Sequence, residues 1–175
     1  LYASANESAV EEFETLIREE QISCHFKRLP SYLYSRDPAR QADLERETRA
    51  ASALGIRACF TGQTGLPFET VGAVRFDNQA QFHPLEFIKA LADQVTVYEK
   101  TRVIRVKGHT VYTNRGTVTA RHIIFATHYP FVNVPGFFFT RLHQDRSYCL
   151  GLSGAAPLDG MYYSVDKNGL SLRWN

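Results

Sequence analysis

The sequence predicts a mixed α/β chain, α+β in character, with two sheets: antiparallel pairing through hairpins and some parallel pairing. Three observations predict it. Three segments carry helix-start signals followed by apolar residues at helical spacing. The second half breaks into short β-rich runs separated by Gly and Asn turns. Between them, a helix pattern running straight into a strand at residues 84–98 reads as half of a βαβ unit, which implies some parallel pairing.

In order, Ser8 and Glu11 form a capping box, and Val10, Phe13, Leu16 and Ile17 continue a helix to about Glu20. Residues 23–35 alternate around Phe26, Leu29, Tyr32 and Tyr34 and predict one or two strands. Asp37 as cap and Pro38 in the first turn open a second helix, and Gly55 closes it. Short strands follow at 56–60 and 73–76. His83 and Pro84 start a third helix whose expected inner face is Leu85, Ile88, Leu91 and Ala92. Strands are then expected at 95–98, 102–106, 110–113, 117–120 and 123–126. Asn114-Arg115-Gly116 is expected as a three-residue hairpin turn with Gly at positive φ. Three last strands are expected near 146–152, 161–165 and 170–174, the final two joined by Asp166-Lys167-Asn168-Gly169.

Composition narrows the function classes. With 175 residues, 44% hydrophobic and 22% charged, the chain is long and apolar enough to bury a core. A net charge of +2 gives no electrostatic case for nucleic acid or an anionic membrane. No apolar run reaches the ~20 residues of a membrane helix. The 12 Phe and 9 Tyr favour β-structure and a ligand-lined interior. Cys24, Cys59 and Cys149 are odd in number and far apart, which fits free thiols in a reducing, cytoplasmic setting better than a disulfide framework. The only Met is Met161 and the chain ends in a strand pattern, so the expectation is a fragment of a longer protein.

Several chemistries find no support. There is no G-x-G-x-x-G fingerprint and no P-loop. Gly151-Leu152-Ser153-Gly154-Ala155 carries glycine one place early for a nucleophile elbow. The six His are scattered and form no i, i+4 pair, so no metal site is expected.

The run AVRFDNQAQFHPLEFIKALADQVTVYEKTRVIRVKGHTVYTNRGTVTARHIIFATHYP, residues 73–130, resembles the D-amino-acid oxidase and glycine oxidase superfamily of flavoproteins. Five parts agree in order and spacing: His83-Pro84, Lys89-Ala90-Leu91, Thr101-Arg102-Val103, the hairpin Val111–Ala120, and the strand Ile123–Thr127. The resemblance implies a substrate-binding domain at 22–75 and 138–175. It implies part of a Rossmann-like FAD domain at 1–21 and 76–137, without its glycine fingerprint. It further implies that Val103 meets adenine through its backbone, and that Ala126 and Thr127 lie near the ribose and pyrophosphate. His128 stands where the family carries Gly, so a different turn is expected there.

The implied activity is oxidation of the C–N bond of a small amine or amino acid, by hydride transfer to FAD in the intact protein. This chain alone is expected to hold FAD poorly or not at all. A substrate carboxylate calls for a guanidinium fork. Arg146, Tyr148, Tyr163 and Arg173 are the candidate substrate contacts, and no catalytic residue is assigned. Two other classes stay open: a different flavin-dependent dehydrogenase or hydroxylase, and a non-enzymatic α+β binding module.

Overall fold

The computed structural model describes residues 2–134 and 136–174. They form two compact units, one running to Val95 and resuming at Gly154, the other Thr96–Ser153.

In the first unit, α1 spans Tyr2–Glu19 and begins six residues before the expected capping box, so Ser8 lies inside the helix. Ala3 and Ala5 are strong helix formers and carry the extra turns. Its Leu16 and Ile17 pack on a cluster of Ile22, Cys24 and Phe87. Phe13 adds ring contacts to Phe82 and Phe87 at 5.4 and 5.5 Å. Cys24 is buried in this cluster, and burial pushes its thiol above its ordinary value, so it stays neutral.

β1, Lys27–Ser35, follows. Asp37 then caps a short 3-10 turn, Pro38–Arg40, by accepting a 2.9 Å hydrogen bond from the Ala39 N–H, and α2 runs Gln41–Ala53. This is the cap-then-proline start that the sequence announced. β2 (Ala58–Thr61) and β3 (Gly72–Gln81) come next. α3, Pro84–Ala92, starts with the His83 Nδ1 accepting from the Glu86 N–H at 3.3 Å. Its inner face differs from the expected one. Leu85 and Ile88 are 72% and 59% exposed, whereas Phe87 is buried with Ala90 and Leu91 beside it. Phe87, Ala90 and Leu91 follow i, i+3, i+4 spacing, and the larger aromatic ring wins the core.

β7 (Met161–Ser164) and β8 (Ser171–Leu172) complete a sheet in the order β2-β3-β1-β7-β8. All its pairs are antiparallel except β1–β7. Parallel pairing is therefore present, but not where the βαβ argument placed it. α3 leads into irregular chain at 93–102, and the expected strand at 95–98 is absent because Val95, Val97 and Tyr98 are exposed and unpaired. The expected strand at 146–152 is likewise irregular and exposed.

The second unit is built on a three-stranded antiparallel sheet, β4 (Val103–Lys107), β5 (Thr110–Thr113) and β6 (Gly116–Thr119). A hairpin turn is present there but is two residues long: Gly116, at φ +152, already pairs with Thr113 as the first residue of β6, leaving Asn114 and Arg115 as the loop. Residues 123–126 form no strand and do not join this sheet, contrary to expectation. Hydrophobicity and the family resemblance both suggested that strand, but among the described residues no neighbouring backbone pairs with it.

No helix among the described residues is long and apolar enough to cross a membrane. Nor do three His, Cys, Asp or Glu side chains converge there as metal ligands.

Candidate functional site

Strand periodicity sorts the five-stranded sheet into two faces. Phe60, Val74 and Leu33 are cross-strand neighbours on one, and Val74 is fully buried. α2 packs across β2 and β3 here, with Leu44 and Ala51 inward. The other face carries a row to which every strand contributes: Cys59, Arg75, Tyr32, Tyr162 and Leu172, each the cross-strand partner of the next. One step along, Tyr34 and Ala73 face the same way.

Aromatic packing defines this second face. The Tyr32 and Tyr162 rings stack with centroids 4.7 Å apart and planes 8° from parallel. Leu66 and Phe68 from one loop, Leu158 from another, and Leu172 pack around them. Gly160 lets the two tyrosine strands come together: a Cβ there would lie 2.6 Å from the Tyr32 ring and 2.9 Å from the Pro30 carbonyl. The Tyr162 hydroxyl donates to Asp159 Oδ1 at 2.6 Å, and the Tyr34 hydroxyl donates to the Leu170 carbonyl at 2.8 Å.

Burial is the main reason that all three phenols have their pKa raised, with Asp159 adding to the effect at Tyr162. They stay protonated at neutral pH. All three rings are buried under Leu66, Phe68, Leu158 and Leu172, and the Tyr34 and Tyr162 hydroxyls are engaged within the fold.

A clasp fixes the β7–β8 connection against the end of β1. Asp166 accepts from the Ser35 hydroxyl and, at 2.8 Å, from the Arg36 N–H, while the Val165 N–H reaches the Tyr34 carbonyl at 3.0 Å. Burial alone would raise the Asp166 carboxyl. The hydrogen bonds from Arg36, Ser35 and Ser164 outweigh it and hold the group below the ordinary carboxylate value.

The sequence-predicted substrate contacts do not gather into one cluster. Tyr163 is 62% exposed and pairs with Leu33, on the face away from Tyr162. Arg173 is exposed just past β8. Arg146 and Tyr148 are exposed in irregular chain of the other unit. The aromatic row itself escaped the sequence reading, although SYLYS and MYYS display its alternation. Arg75 within the apolar run GAVRF was a further usable signal.

Val103 opens β4, an edge strand, so β4 has one side without a strand partner in this sheet. A ligand can take main-chain hydrogen bonds from such an edge. Ala126 and Thr127 are exposed, small residues in irregular chain. His128 has no positive φ, so the turn there does not need the glycine that the family carries.

The family described as "FAD dependent oxidoreductase" (DAO) matches residues 1–151. A relative from Bacillus subtilis (strain 168), named "Putative Rieske 2Fe-2S iron-sulfur protein YhfW", is 31% identical over 184 residues. The match covers 99% of this chain but 36% of that protein. No solved structure matches. An α/β chain with this order of strands and helices, matched over residues 1–151, belongs to the FAD-dependent oxidoreductase family.

Proposed function

We propose that the intact protein oxidises the C–N bond of a small amine or amino acid. The family match over residues 1–151 carries this reading. FAD, when bound, supplies the hydride acceptor. Val103 would hold it through main-chain groups, and Ala126 and Thr127 through close backbone approach. In this reading residues 22–75 and 138–175 form the substrate-binding domain, and 1–21 and 76–137 belong to the FAD domain.

The chain's own share of the work is binding and orientation. The stacked Tyr32 and Tyr162, both buried, brace the sheet rather than meeting the substrate. Arg146, Tyr148, Tyr163 and Arg173 are all exposed and hence open to a substrate. The free thiols fit a cytoplasmic protein.

The test is anaerobic mixing of the purified intact flavoprotein with a panel of amines and amino acids. Bleaching of the flavin absorbance with release of ammonia or a smaller amine supports the reading. A flavin that no amine reduces, but a hydroxy acid does, refutes it.

A second reading concerns where the electrons go. The relative's name points to an iron–sulfur centre in that protein. By analogy, the two electrons collected from the substrate would leave one at a time to such a centre rather than to oxygen. Slow reoxidation in air, together with a reduced-cluster signal in electron paramagnetic resonance, would support this. Fast hydrogen peroxide release would count against it.

A further inference from the structure

The buried phenols of the aromatic face differ in what their hydroxyls meet. The Tyr34 hydroxyl donates to a peptide carbonyl, that of Leu170, which cannot take the proton outright. The Tyr162 hydroxyl donates to a carboxylate, Asp159 Oδ1, at 2.6 Å, within the range of a charge-assisted bond. Asp159 is exposed, so a proton passed to it can exchange with water. Tyr162 is 2% exposed and lies almost flat against the buried Tyr32, with centroids 4.7 Å apart. The face therefore holds a phenol with a proton acceptor on its oxygen and a second phenol stacked on its ring.

A phenol that loses an electron becomes a strong acid, so oxidation is easy only where the proton has a place to go. Burial first, and then Asp159, push the pKa of Tyr162 up, which removes the phenolate route. The proton must move along the hydrogen bond as the electron leaves. Dense packing around the rings then keeps other reactants away from the radical, and the stacked neighbour can share it.

We propose that Tyr162 is a redox-active tyrosine, with Asp159 as its proton acceptor and Tyr32 as the ring that shares the radical, and that the pair takes up oxidising equivalents from oxygen-centred radicals. In the step, the O–H bond of Tyr162 breaks and its proton goes to Asp159 Oδ1. The electron goes to the oxygen-centred radical, which is reduced to its anion, and Tyr162 is left as a neutral phenoxyl. One electron from a small reductant and the proton held by Asp159 restore the phenol. The inference is independent of which substrate the flavin oxidises.

The competing account is a packing pair with a satisfied hydroxyl, which gives Tyr162 no advantage over Tyr34. The intact flavoprotein separates the two. It is oxidised by photogenerated tris-bipyridine ruthenium(III), an outer-sphere one-electron oxidant, frozen after a delay, and read by electron paramagnetic resonance. A tyrosyl signal should persist after radicals on exposed tyrosines such as Tyr2 and Tyr148 have decayed. Growth on ring-deuterated tyrosine should narrow that signal, which distinguishes it from a flavin radical.

Tyr162→Phe keeps the stacked ring and should abolish the persistent signal. Asp159→Asn can still accept a hydrogen bond but cannot take the proton. It should weaken the signal by about 10- to 100-fold, the range for losing a hydrogen bond to a charged group. Tyr32→Phe should shorten the lifetime, and Tyr34→Phe should change nothing. Near-ultraviolet dichroism checks that each variant keeps its fold. A persistent signal at the wild-type level in Tyr162→Phe overturns the proposal, as does its absence from wild type. So do an Asp159→Asn variant that matches wild type, an unchanged lifetime in Tyr32→Phe, or equal losses in Tyr34→Phe and Tyr162→Phe.

Discussion

Replacing Asp166 by Ala should release the β7–β8 connection without unfolding the rest of the molecule. The carboxylate is the acceptor for the buried Ser35 hydroxyl and for the Arg36 N–H at 2.8 Å. A hydrogen bond to a charged acceptor contributes roughly 1.5–3 kcal/mol. Arg36 is exposed and its amide can turn to water, so the sum is nearer ~2–4 kcal/mol than twice the single value. In local opening, that corresponds to hydrogen exchange about 30- to 1,000-fold faster. Exchange followed by mass spectrometry on the intact protein should show this at residues 161–172 and at 34–36, with 103–119 unchanged. The effect should depend on pH. The Asp166 carboxyl is held below its ordinary value in the fold, so the unfolded form binds more protons. Its stabilisation is complete above the unfolded pKa of ~4 and is lost as pH falls through the lower folded value. Wild type should therefore come to resemble the variant in acid. Exchange at 161–172 that changes less than threefold at neutral pH would refute the clasp.

Three further outcomes follow from the same packing. Gly160→Ala forces a methyl against the Tyr32 ring and the Pro30 carbonyl and should cost about 1–3 kcal/mol, read as a lower melting temperature with the tyrosine near-ultraviolet dichroism diminished. Leu44→Ala empties the inner face of α2 at a residue that is 2% exposed, and should cost about 2–5 kcal/mol by denaturant titration, with α2 losing exchange protection first. Tyr162→Phe deletes the 2.6 Å bond to Asp159 but keeps the stacked ring, so it should cost only ~1–2 kcal/mol and leave the stack intact in a crystal structure.

Local chemistry made much of the fold legible. Asp37 with Pro38 marks the second helix, and Gly116 the hairpin, because caps and positive-φ turns need particular residues wherever they occur. Strand pairing was less legible. Ile123–Ala126 and Val95–Tyr98 have the apolar character of strands, but apolar character does not supply a hydrogen-bonding neighbour. The parallel β1–β7 pair joins segments some 130 residues apart, and no local signal announces it. On α3, helical spacing allowed two inner faces, and the contest between Phe87 and the Leu85–Ile88 stripe was decided by α1 packing above it. The candidate site follows from that limit. Tyr32, Tyr162 and Arg75 become one row only once three distant strands are in register.

We propose that the intact protein presents a C–H bond next to nitrogen to FAD for hydride transfer. Single-turnover reduction of the intact flavoprotein, with a reactive amino acid and with the same compound deuterated at the α-carbon, tests it most directly. The account predicts that deuteration slows flavin bleaching severalfold, and that one equivalent of ammonia and of the 2-oxo acid appears per flavin reduced. Bleaching without loss of nitrogen from the substrate, or a flavin that stays oxidised with every amine while another class of alcohol or acid reduces it, would contradict it.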